Sequence, residues 1–388
     1  MKKHLFWLMA ALIATTGFTA CNDDDDNDPV NYAVSLDQAV GSYTGNDLEI
    51  YVGGQSVQLL EGQAARISGT NADKVTISIP DYAVPGETGL TFTDVKMTAP
   101  LFNVFEGENA DASRTIALKG ELRDGRLRLD LTPAYRSDII GVWNFNTELD
   151  ESETVTLAPI SIATDEGVSL GFGEFVLPIV GVMLQNSMAL INLEFHADGN
   201  LTATYNANTM NDMMAAMNEL PISPVFVHTP MNAMKWYTKD GALYLVPNLN
   251  LMFKNNPTKA QLGPLDISKI MTVGIPLHYT KQGDKMTAYA SKDQMEPVFD
   301  MLSAAIQLID PAFELEIGEG TAIPLRSMLE MILQPICDVA TDPATKRFDL
   351  CLNFKAGAIA EEAPKVPDAS AAAAVSKGLS EWAKNRAE

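Results

Sequence analysis

The chain has 388 residues and a formal net charge of −23, from 50 acidic against 27 basic side chains. A surface that acidic repels phosphate backbones and excludes a nucleic-acid partner. The length accommodates two domains of ordinary size.

Residues 1–20 fall into three zones: a positive start at Lys2 and Lys3, an apolar run from Leu5 to Ala14, and small residues ahead of Cys21. This is the grammar of a secretory signal peptide, too short for a spanning helix, which needs about 20 apolar residues. The most apolar later stretch, 175–184, is shorter still and is interrupted by Pro178. Phe18-Thr19-Ala20-Cys21 resembles the lipobox of bacterial lipoproteins, with Phe18 where that family usually has Leu. The resemblance implies that Cys21 is lipidated after residues 1–20 are removed.

Residues 21–38 then begin with an acidic run, Asp23 to Asp28. Asp24, Asp26 and Asp28 alternate as in a calcium loop, but Pro29 stands where that loop requires Gly. The run reads instead as a solvated, self-repelling linker. It is similar to the acidic export tag of Bacteroidota surface lipoproteins. That likeness implies an outer-membrane, lipid-anchored protein exposed at the cell surface, touching the membrane through the lipid on Cys21 alone.

Residues 39–136 read as an all-β unit. Short β-rich runs at 43–52, 55–60, 64–68, 74–79, 90–97, 115–122 and 126–131 are separated by turn residues at the spacing of sandwiches and barrels. Asp124-Gly125 carries the strongest short hairpin signal. Beyond it Leu127, Leu129 and Leu131 alternate with Arg126, Arg128 and Asp130, one dry face and one wet.

Residues 137–355 read as a second β unit with helical insertions. Hairpins are expected over 193–205, 234–246 and 275–289, around Asp198-Gly199, Asp240-Gly241 and Gly283-Asp284. A late strand at 347–354 is expected to close the sheet. Helical periodicity marks 174–190, 209–220, 295–309 and 323–339. Residues 356–388 read as a linker and a C-terminal helix carrying Val375, Leu379 and Trp382 on one seam.

Ile139-Ile140-Gly141-Val142-Trp143 repeats the pattern of Ala39-Val40-Gly41-Ser42-Tyr43: an apolar pair, Gly, one residue, then a large aromatic. A weak repeat at a spacing of about 100 residues suggests two related barrel-like units. Gly141-Val142-Trp143 is similar to the Gly-x-Trp opening of lipocalins and other calycins. Residues 40–133 look like the calycin-like domains of exported Bacteroidota lipoproteins, and the whole chain resembles one of their two-domain families. The resemblance implies two lipocalin-like or calycin-like β-barrels, the second α+β, and a small apolar ligand within a barrel.

The chemistry is sparse. Nucleophile-elbow, zinc-protease and phosphate-loop motifs are absent from the sequence, so no catalytic residue, metal or cofactor is expected. His196, His228 and His278 lack metal-ligand spacing. Glu314 and Glu316 alternate with Phe313, Leu315 and Ile317, the pattern of a wet strand face. Cys337 and Cys351 either form a short disulfide loop or stay as two buried thiols. Met210, Met213, Met214 and Met217 form one soft apolar stripe. With Trp143 they are the candidate ligand-binding residues, against the alternative that they fill gaps where helices cap a sheet. The leading expectation is a non-catalytic, surface-anchored lipoprotein that binds a small apolar or amphiphilic ligand. The alternative is an accessory lipoprotein docking on an outer-membrane protein.

Overall fold

The computed structural model describes residues 35–57, 59–97, 103–151, 155–166, 190–208, 212, 215, 221, 223–248, 267–295, 314–316 and 322–357. The signal peptide, the acidic run, the expected helix over 174–190 and the C-terminal helix lie outside them, as does the 295–309 helix beyond Met295. The fold is mainly β, with a half-barrel sheet followed by a closed eight-stranded antiparallel barrel. Both belong to one compact body.

A short helix, α1 (Leu36–Ala39), opens the described chain, capped by Ser35 in a capping box with Gln38. The half-barrel contains β1 (Gly41–Thr44), β2 (Leu48–Val52), β3 (Gln55–Ser56), β4 (Ala64–Ser68), β5 (Val75–Ser78) and β6 (Thr91–Met97), then β7 (Val104–Ala110), β8 (Arg114–Arg123) and β9 (Arg126–Tyr135). Its order is β1-β4-β5-β6-β7-β8-β9-β2-β3. The β8–β9 hairpin turns on Asp124 and Gly125 as expected, both at positive φ (51° and 76°), which the twist of a two-residue hairpin demands. Leu127, Leu129 and Leu131 are buried and alternate with exposed or half-buried neighbours.

The expected first barrel is a half-barrel. A 3-10 turn at Gly45–Asp47 breaks the opening strand in two. Its first half pairs antiparallel with β4, while its second half pairs parallel with β9 at the opposite edge. One kinked segment therefore reaches both ends of the sheet, with β1 at one margin and β2 next to β3 at the other, in place of a continuous antiparallel ladder.

The barrel takes β10 (Gly141–Phe145), β14 (Leu190–Phe195), β15 (Asn200–Asn206), β17 (Met234–Lys239), β18 (Ala242–Pro247), β19 (Ile275–Gln282), β20 (Lys285–Ser291) and β23 (Phe348–Ala356). These pair in sequence order, and β23 returns to pair with β10 and close the ring. The late strand has the role the sequence suggested. Around it lie a small hairpin of β11 (Glu148–Leu149) and β12 (Val155–Leu157), and β13 (Ile160–Thr164) on the early half of β23. Also outside the ring are β16 (Phe226–His228) beside β15, and a hairpin of β21 (Glu314–Glu316) and β22 (Ala322–Pro324). Two helices accompany the barrel, α2 (Ile267–Thr272) and α3 (Leu325–Thr341). The second confirms the helical period read at 323–339.

Connections in an up-and-down barrel emerge alternately at its two ends. Here the second, fourth and sixth are tight turns at 196–199, 240–241 and 283–284. The first, third, fifth and seventh are long and run over 146–189, 207–233, 248–274 and 292–347. Every long connection leaves the barrel at one end, which defines a mouth; the tight turns define a floor.

Candidate functional site

Paired residues of neighbouring antiparallel strands share a face, so the register traces the inner wall. Trp143 pairs with Leu193, and Leu193 with Ala203. Phe195 pairs with Leu201, and Leu201 with Met234. Trp236 pairs with Leu245, and Leu243 with Leu277. Tyr279 pairs with Ala288, Ala288 with Leu352, and Met286 with Phe354, which returns to Phe145. This closed belt is apolar all round. Trp143, Phe195, Trp236, Met286 and Phe354 come from separate strands yet form one buried cluster, so the belt faces inward.

Burial grades along that wall. On five strands the inward residue nearer the floor is buried and the next one toward the mouth is half-buried or exposed. The pairs are Trp143 and Phe145, Phe195 and Leu193, Leu201 and Ala203, Leu243 and Leu245, and Phe354 and Leu352. Tyr205, one layer further out than Ala203, is exposed. An inward apolar side chain that keeps solvent contact borders space that no protein atom fills. β20, by contrast, keeps Met286, Ala288 and Ala290 buried along its length, and Phe348 at the mouth end of β23 is fully buried, so the accessible part of the wall lies on the side of β10, β14, β15 and β18.

The floor is an aromatic plug. Trp143 is buried, and its Nε1 donates to the carbonyl of Ile139 at 2.7 Å. Trp236 Nε1 donates to the carbonyl of His196 at 3.0 Å. Phe195 meets the Trp236 ring edge-on at 5.3 Å, and Tyr135 packs against the same ring at 5.7 Å. Both indole N–H groups are thus satisfied by backbone, leaving flat apolar faces. Tyr279 is half-buried and burial raises its phenol pKa; a hydrogen bond from the Ser137 side chain opposes that shift. Outside the plug an open cleft of about 500 Å³ runs past Ile140, Gly141 and Lys281.

On the mouth side α3 seats against the inner face. Phe348 shares the parity of Leu352 and Phe354 and forms a cluster with Ile336, Cys337 and Ala340 of that helix, with Ile162 and Met295 beside them. Both cysteines are buried reduced thiols. This arrangement fits the alternative of two buried thiols, and β23 shows why. Cys337 rides on the helix that packs on the Phe348 face, whereas Cys351 has the opposite parity and pairs with Ser161 and Tyr289 on the outer face. Burial raises the Cys351 thiol pKa.

Of the other candidate residues, Trp143 lies in the floor. Cys21 and the stripe of Met210, Met213, Met214 and Met217 lie outside the described residues; the stripe belongs to the connection between β15 and β17, which leaves at the mouth. Within that stripe sequence reasoning missed Asp212, which is buried. Its carboxylate accepts from Asn206 Nδ2 at 2.6 Å and from the Ser223 backbone at 2.8 Å, tying this connection to the end of β15. A lone acid among methionines gives no periodic signal. The histidines are engaged locally. His196 and His228 share hydrogen bonds with Thr202 and Thr204, and His278 stacks on Tyr289. Among the described residues no group of three or more His, Cys, Asp or Glu is placed to hold a metal ion, and no helix is long and apolar enough to cross a membrane.

Compared with family models, with curated proteins and with solved structures, the chain matches none.

Proposed function

We propose that this chain is a non-catalytic binding protein, lipid-anchored through Cys21 at the outer face of the outer membrane, that holds one small apolar or amphiphilic molecule in its second barrel. The observation that carries the reading is the burial gradient on the inner wall, from the packed floor at Trp143 and Trp236 to the accessible layer of Phe145, Leu193, Leu245 and Leu352. An eight-stranded barrel has an interior wide enough for its own side chains or for one small ligand. The likeness of Gly141-Val142-Trp143 to the lipocalin opening supports the same reading.

Native mass spectrometry of the protein taken from its host membrane tests it, with uptake of fluorescent fatty-acid and sterol probes as a second readout. A co-purifying apolar mass, or saturable uptake, is expected. An empty protein that takes up no probe rejects the pocket.

A second reading, an accessory protein docking on an outer-membrane partner, has its own observation. Val225 and Phe226 are exposed at the start of β16, which lies outside the ring beside the end of β15. Photo-crosslinking from Phe226 in intact cells tests it, and labelling of a single outer-membrane protein favours docking.

A further inference from the structure

The outer face of the half-barrel carries a site that owes nothing to the barrel lumen. We propose that the tip of the β8–β9 hairpin binds a phosphomonoester with a hydroxylated body. Arg123 and Arg126 hold its phosphate, and Glu49 and Glu121 accept its hydroxyls.

The register carries the first observation. Charged residues on this face stand opposite charges of the other sign: Lys96 opposite Glu106, Glu106 opposite Lys119, Lys119 opposite Asp130, and Arg128 between Glu121 and Glu49. Among the described residues of the face one charged pair breaks that rule. Arg123 stands directly opposite Arg126, both exposed, at about 5 Å between Cβ atoms, where like charges repel. Lys285 and Lys355 are opposed in the same way on the barrel, but each has a carboxylate beside it, Glu148 and Asp284. Arg123 has only Asp124 at 3.7 Å among the ion pairs of the described residues, and Arg126 has none. A chain with 50 acidic side chains against 27 basic ones does not juxtapose two arginines for want of acids.

The second observation is shape. Both arginines line a cleft of about 510 Å³, with Glu49, Glu121, Asp124 and Arg128 around them. One wall is already fixed. Arg128 donates to Asp130 at 3.1 Å and lies 4.4 Å over the Tyr51 ring, whose hydroxyl donates to Glu49 at 3.4 Å.

The chemistry selects the ligand. Each guanidinium offers a fork of parallel N–H groups. A planar carboxylate fills one fork, whereas a phosphomonoester brings three acceptor oxygens and a charge of about −1.5 to −2, enough for both. The neighbouring carboxylates accept from hydroxyls and repel a second phosphate. The acidic surface beyond is screened over about 8 Å at physiological ionic strength, so it turns away long polyanions without emptying a contact site.

The test is calorimetry on the full-length, unlipidated Cys21→Ser protein at fixed ionic strength, with inorganic phosphate, glucose 6-phosphate, glucose and fructose 1,6-bisphosphate. Glucose 6-phosphate should bind about tenfold or more tighter than phosphate, and tighter than the bisphosphate, while glucose alone should not bind. Co-sedimentation with phosphatidylcholine vesicles, with and without phosphatidylinositol 4-phosphate, presents the same group as a lipid headgroup. Binding there but not to glucose 6-phosphate would make the source a membrane lipid. Arg126→Gln should weaken the bound phosphomonoester about tenfold or more, yet raise the melting temperature of the ligand-free protein by about a degree as the repulsion goes. Lys74→Gln, the same charge change at another exposed position of the half-barrel, should leave binding unchanged. Glu121→Gln should narrow the preference for glucose 6-phosphate over phosphate. Equal affinity for those two overturns the role of Glu49 and Glu121. No binding of any phosphomonoester, or equal weakening by Arg126→Gln and Lys74→Gln, overturns the site.

Discussion

The indole of Trp143 donates to the carbonyl of Ile139, four residues upstream, at 2.7 Å, and the phenol of Tyr43 donates to the carbonyl of Ala39 with the same spacing and the same length. Ala39 and Ile139 are fully buried, while Val40 and Ile140 are 38% and 37% exposed. The faint sequence repeat is thus a repeated piece of structure: a buried residue, an exposed apolar one, a glycine, and an aromatic whose polar tip reaches back. Tyr43→Phe removes one such bond and leaves a buried carbonyl unpaired, so it should cost about 1–3 kcal/mol. Trp143→Ala also opens a cavity in the floor and should cost about 3–5 kcal/mol. Urea unfolding of the soluble form measures both.

The half-barrel is held against the barrel through Gly86, whose backbone lies so close to the Tyr237 ring that a Cβ there would stand 2.3 Å from it. Its φ of +78° also disfavours any side chain. Tyr237 cannot simply withdraw: it stacks on Tyr244 at 4.7 Å, and its hydroxyl donates to Val273 just past α2. Gly86→Ala should destabilise by about 2–4 kcal/mol. Adding Tyr237→Ala should make the pair less costly than the sum of the singles, because the clash is gone. Strict additivity in a double-mutant cycle would place the strain elsewhere.

The turns and strands were legible because their determinants are local. Asp124-Gly125 and Asp240-Gly241 need positive φ at both residues, and they have it. The leucine alternation in β9 and the period of α3 were equally plain. Pairings between distant residues were not. Nothing near Leu48 indicates that β2 runs parallel to β9 some 80 residues later, which is what makes the first unit a half-barrel. The burial gradient was half legible. The alternation of tight turns with helical insertions is written in the chain, but its meaning depends on the order of strands around a closed ring. Cys337 and Cys351 are close in sequence, and only the parity of β23 shows that a strand stands between them.

Those cysteines yield a simple check. Intact-mass measurement after alkylation without reductant should find neither thiol modified in the folded soluble form and both modified in denaturant. A species lighter by two hydrogen atoms that resists alkylation would reveal a disulfide.

Arg114 is 7% exposed and grips Glu87 with two bonds, Nε at 2.6 Å and an η nitrogen at 2.7 Å, while its other η nitrogen reaches Asn109 at 2.6 Å. The pair fastens β8 to the loop that carries Gly86. Glu87, with Asp111 and Tyr135, favours the charged guanidinium, whose pKa is raised chiefly by the Glu87 hydrogen bonds. Removing one partner strands the other, so Arg114→Ala should cost about 3–5 kcal/mol. Exchanging both, Arg114→Met with Glu87→Leu, should cost far less, because no buried charge is left unpaired. A double exchange as damaging as the single one would mean that the bond to Asn109 matters more than the ion pair.

Lys235 sits on the outer wall against the half-barrel, donating to the carbonyl of Val52 at 3.3 Å. Burial lowers its pKa, opposed weakly by Asp198. The sign of the pH effect follows. The folded state releases this proton below the usual lysine value of 10.5, so between the two pKa values the unfolded chain binds more protons and stability rises with pH. At neutral pH the charged lysine therefore costs the fold free energy that it does not cost above pH 10.5. Lys235→Met keeps the apolar stem and removes the charge, so it should stabilise the protein at pH 7. Its advantage over the parent should shrink steadily as pH approaches 10.5. Comparing the two proteins isolates the lysine, because the buried phenols of Tyr135 and Tyr237, whose pKa values are raised, weaken both folds alike above pH 10. A difference between parent and variant that stays flat from pH 7 to 10.5 would show that Lys235 keeps its water in the folded state.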